Sequence, residues 1–312
     1  RTNTFMLDHD RGSPALALGE FPVLNQLNER YKMEKWNLII DVEKCENCNN
    51  CAIATKDEHI GNDFGAYAAP MPAHGHDWIK IGRRVRGATP LVDVAYLPVT
   101  CNQCDNAPCV DAGGGCVTKR PDGIVIIDPV KAKGRRDVVD SCPYGAIWWN
   151  EALQLPQKWI FDAHLLDQGW KEPRATQACA TGCMQAIKVD DAQMRAIAER
   201  DKLEVLKPGL GTRPRVYYKN YHRWSKCFVG GSVTAQIKGV LECVEGAQVE
   251  LLKDGKAVGE AKTDMFGDFK IDRLEPNSGT YQVKISHPQH GSAGTTAKVE
   301  ESVYLGSIGL AQ

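Results

Sequence analysis

At 312 residues the chain is longer than a single hydrophobic core usually grows, so its length predicts two domains. Its 43% hydrophobic and 25% charged residues exclude a disordered or collagen-like chain, and a net charge of -1 leaves no basic excess for a nucleic-acid partner. The longest apolar stretches, residues 90–99 and 123–128, fall far short of the roughly 20 residues that cross a bilayer, so a soluble chain with no transmembrane segment is expected.

The first residue is Arg rather than Met and no hydrophobic signal core follows it. A processed or trimmed start and a cytoplasmic location are expected, with export alongside a partner as the alternative. Residues 1–32, with a Gly12-Ser13-Pro14 step, read as an extended arm carrying one helical turn near 24–31. A strand over residues 36–41 opens a cysteine-rich domain spanning 33–204. Within it a second strand is expected at 124–127, and a helix at 191–200, where Met194, Ile197 and Ala198 recur at helical spacing. Residues 205–227 read as a turn-rich connector with one strand near Val216-Tyr217-Tyr218. Over 228–312, short alternating runs at 248–252, 268–271 and 281–286 are separated by turns such as Asp254-Gly255, which predicts a small antiparallel β-sandwich.

The chemistry lies in the spacing of the twelve cysteines. Cys45, Cys48 and Cys51 form one C-x2-C-x2-C triplet; Cys101, Cys104 and Cys109 form a second, lengthened by Asp105-Asn106-Ala107-Pro108. Such close spacing suits cluster ligands better than a disulfide framework. In two-cluster ferredoxins the fourth cysteine of each run, three residues on and followed by Pro, serves the other cluster. Here Thr55 and Gly113 stand at those exchange positions, so each triplet keeps three ligands. A third motif survives as Cys142-Pro143, because residues 131–140 hold no cysteine. The fourth ends in Cys179 and Cys183, with Trp159 and Asp162 where a leading C-x2-C belongs. Structural zinc is the alternative use of such cysteines. Cys116, Cys179, Cys227 and Cys243 lack partners by spacing and read as small buried apolar residues. Trp148, Trp149 and Trp159 read as core filling, and His74 and His76 as surface residues of a Pro- and Gly-rich loop. No Ser-His-Asp set, phosphate loop or paired carboxylates stand out, so no catalytic site is expected on this chain.

The order of these motifs resembles the iron–sulfur subunits of the dimethyl-sulfoxide-reductase family of molybdenum enzymes, most closely the small subunits of pyrogallol–phloroglucinol transhydroxylases. The likeness runs from about Met33 to the C-terminus, through segments such as Cys48-Asn49-Asn50-Cys51, Asp57-Glu58-His59, Asn106-Ala107-Pro108-Cys109-Val110, Cys142-Pro143-Tyr144-Gly145 and Ala163-His164-Leu165-Leu166-Asp167. It implies an α+β, ferredoxin-like multi-cluster domain in which motif one closes with motif four and motif two with motif three. Carried over, Cys45, Cys48, Cys51 and Cys183 hold one 4Fe–4S cluster, and Cys101, Cys104, Cys109 and Cys142 hold another. A further cluster, present in the transhydroxylases, needs residues 55, 159 and 162 together with Cys179. Thr55, Trp159 and Asp162 replace its cysteines, so two clusters are expected. The likeness also implies a large partner subunit that carries molybdenum on two pterins and acts on a hydroxylated aromatic. A respiratory reductase subunit for arsenate or a sulfur oxyanion is the runner-up, and a scaffold whose clusters serve as staples is a third reading. The C-terminal segment resembles carboxypeptidase-regulatory-like and Cna-B-like β-domains through Glu245-Gly246-Ala247-Gln248-Val249 and residues 263–269, and is expected to dock or stabilise the large subunit.

Overall fold

Strand β1 (Lys35–Asp41) lies at the centre of the cysteine-rich part in the computed structural model, which describes residues 33–311; the expected turn at 24–31 lies outside them. Leu38 and Ile40, two apart and so on one face of β1, are fully buried, and Asn37 on the opposite face is buried too. The chain then passes through the first cysteine loop into α1 (Asn50–His59), whose Cys51, Thr55 and His59 recur every four residues on its buried side. A long hairpin follows, β2 (Ile79–Ala88) and β3 (Leu91–Thr100), paired from Ile79↔Thr100 to Ala88↔Leu91. Short elements carry the next two motifs: α2 (Pro108–Gly113), β4 (Val117–Lys119), β5 (Val125–Ile127) and α3 (Asp137–Asp140). They lead through β6 (Trp148–Asn150), β7 (Leu155–Gln157), α4 (Ala163–Asp167) and α5 (Arg174–Gln177) to β8 (Met184–Val189).

The expected helix at 191–200 is α6 (Asp191–Asp201). Asp190 caps it by accepting from Ala192 and Gln193, while the Gln193 side chain accepts from the Asp190 N–H, a reciprocal capping box. Residues 205–227 do more than connect. They contain β9 (Val216–Lys219), which pairs in parallel with β1, opposite antiparallel β8, to complete the central sheet β8-β1-β9. Arg215, just ahead of β9, is buried and donates to Asp105, Asp191 and Asn37, which ties this edge to the second cysteine loop. After α7 (His222–Ser225) the chain becomes all β.

Its strands are β10 (Cys227–Ile237), β11 (Val240–Cys243), β12 (Gln248–Lys253), β13 (Lys256–Lys262), β14 (Asp268–Leu274), β15 (Gly279–His287), β16 (Gly291–Val299) and β17 (Val303–Gly309). One four-stranded sheet is built on β10, with β11, β14 and β17 as its partners; the other runs β13-β12-β15-β16. Val229, Val233, Val249, Leu251, Phe269, Val283 and Ile285 belong to the core of this part. Period-two alternation in β12 and β15 places Val249, Leu251, Val283 and Ile285 inward. The expectation of a purely antiparallel sandwich is corrected at one seam, since β17 returns alongside β10 in parallel.

The β2–β3 hairpin joins the two parts. Arg86, buried near its tip, pairs with Asp93 on β3 and with Asp272 on β14 at 3.0 Å. Beside it, Gly87 admits the Phe228 ring and Gly230 admits Leu91; a Cβ at either position would collide with that neighbour. Glu34–Gln312 form one compact unit. Among the described residues no helix is long and apolar enough to cross a membrane.

Candidate metal centres

The first cysteine loop is wound by Asn47 and Asn49, both in the left-handed region (φ 58° and 62°) that Asn tolerates better than most residues. This tight winding carries the chain from half-buried Cys45 through exposed Cys48 to Cys51, buried in the first turn of α1. Cys183 arrives just before β8, and its carbonyl accepts from the Asp41 N–H at 2.9 Å, which fixes it at the end of β1. There its thiol hydrogen-bonds that of Cys45. The contact lets Cys45 lose its proton early, at about 7, while Cys183 holds its own. Burial, reinforced by the neighbouring thiols of Cys179, Cys45 and Cys48, pushes Cys51 up to about 11.

The second loop is held by its own insertion. Asp105 and Asn106 donate backbone N–H groups to the carbonyls of Arg213 and Thr212, and the Asp105 carboxylate takes a two-pronged bond from Arg215 at 2.7 and 2.6 Å. Cys101, Cys104 and Cys109 are buried, and Cys142 comes to them from the end of α3. Burial raises Cys104 to about 12 and Cys109 to about 11, and both feel Cys101 and Cys142 close by. Burial and Cys101 raise Cys142 as well, while the Ala146 N–H reaches its sulfur at 3.4 Å. The Thr212 hydroxyl bonds Cys104, and Tyr144 in turn bonds Thr212.

Each group therefore offers four thiols drawn from two distant stretches of chain. Most resist ionisation because burial and one another oppose it, and a cationic inorganic core would relieve that opposition. Among the described residues, no three His, Cys, Asp or Glu side chains converge tightly enough to hold a single metal ion.

Thr55, Trp159 and Asp162 belong to a buried polar plug. Thr55, one turn after Cys51, turns its hydroxyl back onto the Cys51 carbonyl at 2.9 Å. Trp159 is fully buried. Asp162 is buried too, and its Oδ1 accepts from Trp159 Nε1 and His59 Nε2, each at 3.1 Å, while Oδ2 accepts from the Arg174 N–H at 2.9 Å. Both oxygens are thus committed to protein donors. Half-buried Cys179 accepts from the Met184 N–H at 3.5 Å and lies near Cys51 and Cys183.

Three smaller expectations need correction. His76 is buried, not on the surface, because its Nε2 bonds the Trp149 carbonyl at 3.0 Å; His74 is exposed. Cys116 and Cys227 are buried as expected, but Cys243 is exposed, since all four residues of edge strand β11 face outward. Cys179 is only half-buried. Sequence alone does not single out His59, Gln103 and Thr212; of the three only Gln103, between Cys101 and Cys104, lies within a cysteine motif.

A family model described as a 4Fe–4S dicluster domain matches residues 92–189, a span that includes Cys101, Cys104, Cys109, Cys142, Cys179 and Cys183 but not the first triplet. The pyrogallol hydroxytransferase small subunit of Pelobacter acidigallici is 43% identical over 281 residues, covering 89% of this chain and 100% of that one. The chain belongs to the iron–sulfur small subunits of the dimethyl-sulfoxide-reductase family. More distant members include a subunit of the tetrathionate reductase of Salmonella typhimurium, 30% identical over 65% of this chain and 79% of its own. The arsenate respiratory reductase iron–sulfur subunit of a Shewanella species is 26% identical over 58% of this chain and 94% of its own.

Proposed function

We propose that this chain is the electron-transfer subunit of a heteromeric molybdenum enzyme that acts on hydroxylated aromatics, and that it holds two 4Fe–4S clusters. The observation that carries the reading is the gathering of eight thiols into two fours: Cys45, Cys48, Cys51 with Cys183, and Cys101, Cys104, Cys109 with Cys142. Bound there, each cluster supplies a site that gains and loses one electron. The chain's own residues supply the rest. Thiolates hold the iron, the Ala146 N–H and the Thr212 hydroxyl donate to sulfur, and the surrounding apolar side chains exclude water.

In this reading residues 33–204 are a ferredoxin-like domain, and residues 228–312 are a Cna-B-like or carboxypeptidase-regulatory-like module that helps seat a large subunit carrying molybdenum on two pterins. The aromatic substrate class follows the 43% identity with the pyrogallol enzyme's small subunit, against 30% and 26% for the two respiratory relatives. Changing Cys142→Ser tests the ligand sets. The prediction is an altered electron-paramagnetic signal from one cluster with the other untouched; two unaltered signals, or the loss of both, contradict the pairing.

A further inference from the structure

Three Lys or Arg side chains are buried among the described residues: Arg86, Lys158 and Arg215. Two have carboxylates. Arg86 bonds Asp93 and Asp272, and Arg215 bonds Asp105 and Asp191. Lys158, only 2% exposed, has none; its Nζ donates to the backbone carbonyls of Val125 and Trp159, the latter at 3.3 Å. Carbonyl dipoles solvate an ammonium without neutralising it, and a buried charge with no counter-charge is strongly unfavourable. A negative body is therefore expected close by.

The surrounding bonds show where. The Trp159 carbonyl that accepts from Lys158 also accepts from Gln103 Nε2 at 3.1 Å, and Gln103 Oε1 accepts from the Val125 N–H at 2.8 Å. Gln103 lies between Cys101 and Cys104, so the ammonium is bound to the same two backbone segments that brace the second cysteine loop. It lies within electrostatic reach of Cys109 and Cys142. Lys119 also touches this loop, through the carbonyls of Gln103 and Cys104, but Asp105 pairs with it at 3.0 Å. Among the described residues no buried cation besides Arg86, Lys158 and Arg215 is present, and the leading influences on Cys45, Cys51 and Cys183 are one another, Cys48, Cys179 and Glu46.

We propose that Lys158 is the built-in counter-charge of the cluster held by Cys101, Cys104, Cys109 and Cys142, and that it sets this cluster above the other in reduction potential. The inference rests on the two-cluster reading above. Reduction brings one electron from an outside one-electron donor, with no bond broken and no proton moved, onto a body already anionic through its four thiolates. A fixed cation in a low-dielectric site stabilises the added charge more than the starting state, which raises the potential. Lys158 acts through the field at the cluster, as a positioning charge, and electrons entering the chain come to rest at the second thiol group.

The test uses the full chain with Lys158→Gln, which keeps a hydrogen-bond donor but removes the charge, and Lys158→Arg, which keeps the charge. Iron content and paramagnetic signals come first, because a chain without two clusters overturns the parent reading and this inference with it. Redox titration follows, the second cluster being identified by its response to Cys142→Ser. With Gln, its electron-transfer equilibrium constant should fall at least tenfold, which is 59 mV for one electron. The other cluster should not move, and Arg should stay near the unmodified chain. No shift with Gln, or equal shifts with Gln and Arg, overturns the proposal. Should either variant lose the cluster, the unmodified chain decides: the cluster that responds to Cys142→Ser must have the higher potential, and a lower one overturns the proposal.

Discussion

Asp162 is a buried carboxylate with both oxygens taken by protein donors. Its carboxylate satisfies Trp159 Nε1, His59 Nε2 and the Arg174 N–H, donors that would otherwise be buried and unpaired. Changing Asp162→Ala should therefore cost about 1–3 kcal/mol per orphaned donor, read by chemical denaturation, and leave the iron content as it was. Iron loss with stability unchanged would instead make Asp162 a ligand. At Asp191 burial alone would raise the carboxyl, but the bonds from Lys35 and Arg215 outweigh it and hold the group at about 2. A depressed carboxyl contributes stability that is present above its unfolded value of about 4 and is lost as pH falls toward 2. Asp191→Asn should accordingly be less stable than the parent at pH 7, with the gap closing between pH 4 and pH 2. A gap that does not change with pH would assign the effect to packing.

At the scale of elements, the β2–β3 hairpin is the strut between the cluster-binding part and the terminal sheets. Its Arg86 is buried between Asp93 and Asp272, so Arg86→Met removes the cation these carboxylates share and leaves Asp93 to Arg223 and Lys270, and Asp272 to Lys270. A loss of about 3 kcal/mol is expected, together with faster proteolysis between α7 and β10. Unchanged cleavage would mean that the Gly87–Phe228 and Gly230–Leu91 contacts suffice. This hairpin was hidden in the sequence. Residues 79–88 carry Lys80, Arg83, Arg84 and Arg86, so the side that turns inward includes a cation, and the apolar–polar alternation that marks a strand is broken. β9 was visible as a strand but not as part of the central sheet, because four residues in a turn-rich stretch carry no sign of which neighbour they pair with. Helix α1 escaped for a related reason: its buried side is Cys51, Thr55 and His59, with no apolar stripe to read. By contrast β12, β14 and β15 were legible, since clean alternation and Asp-Gly turns specify strands locally.

For the whole molecule, the sequence spacing identified which cysteines are ligand candidates, and the family likeness supplied their pairing. Neither revealed the polar plug around Asp162 or the unpaired cation at Lys158, because both depend on segments far apart in the chain meeting in space. As proposed, the subunit is an electron carrier with two stations of unequal potential, in a family whose members serve molybdenum enzymes. The number of stations is what most defines it. The most direct measurement is the iron and acid-labile sulfide content of the purified chain, taken with its paramagnetic spectrum after reduction. Two cubanes predict about eight irons and about eight sulfides per chain, with two interacting signals. About twelve irons, showing that the Thr55, Trp159 and Asp162 region still holds a cluster, or about four would contradict it.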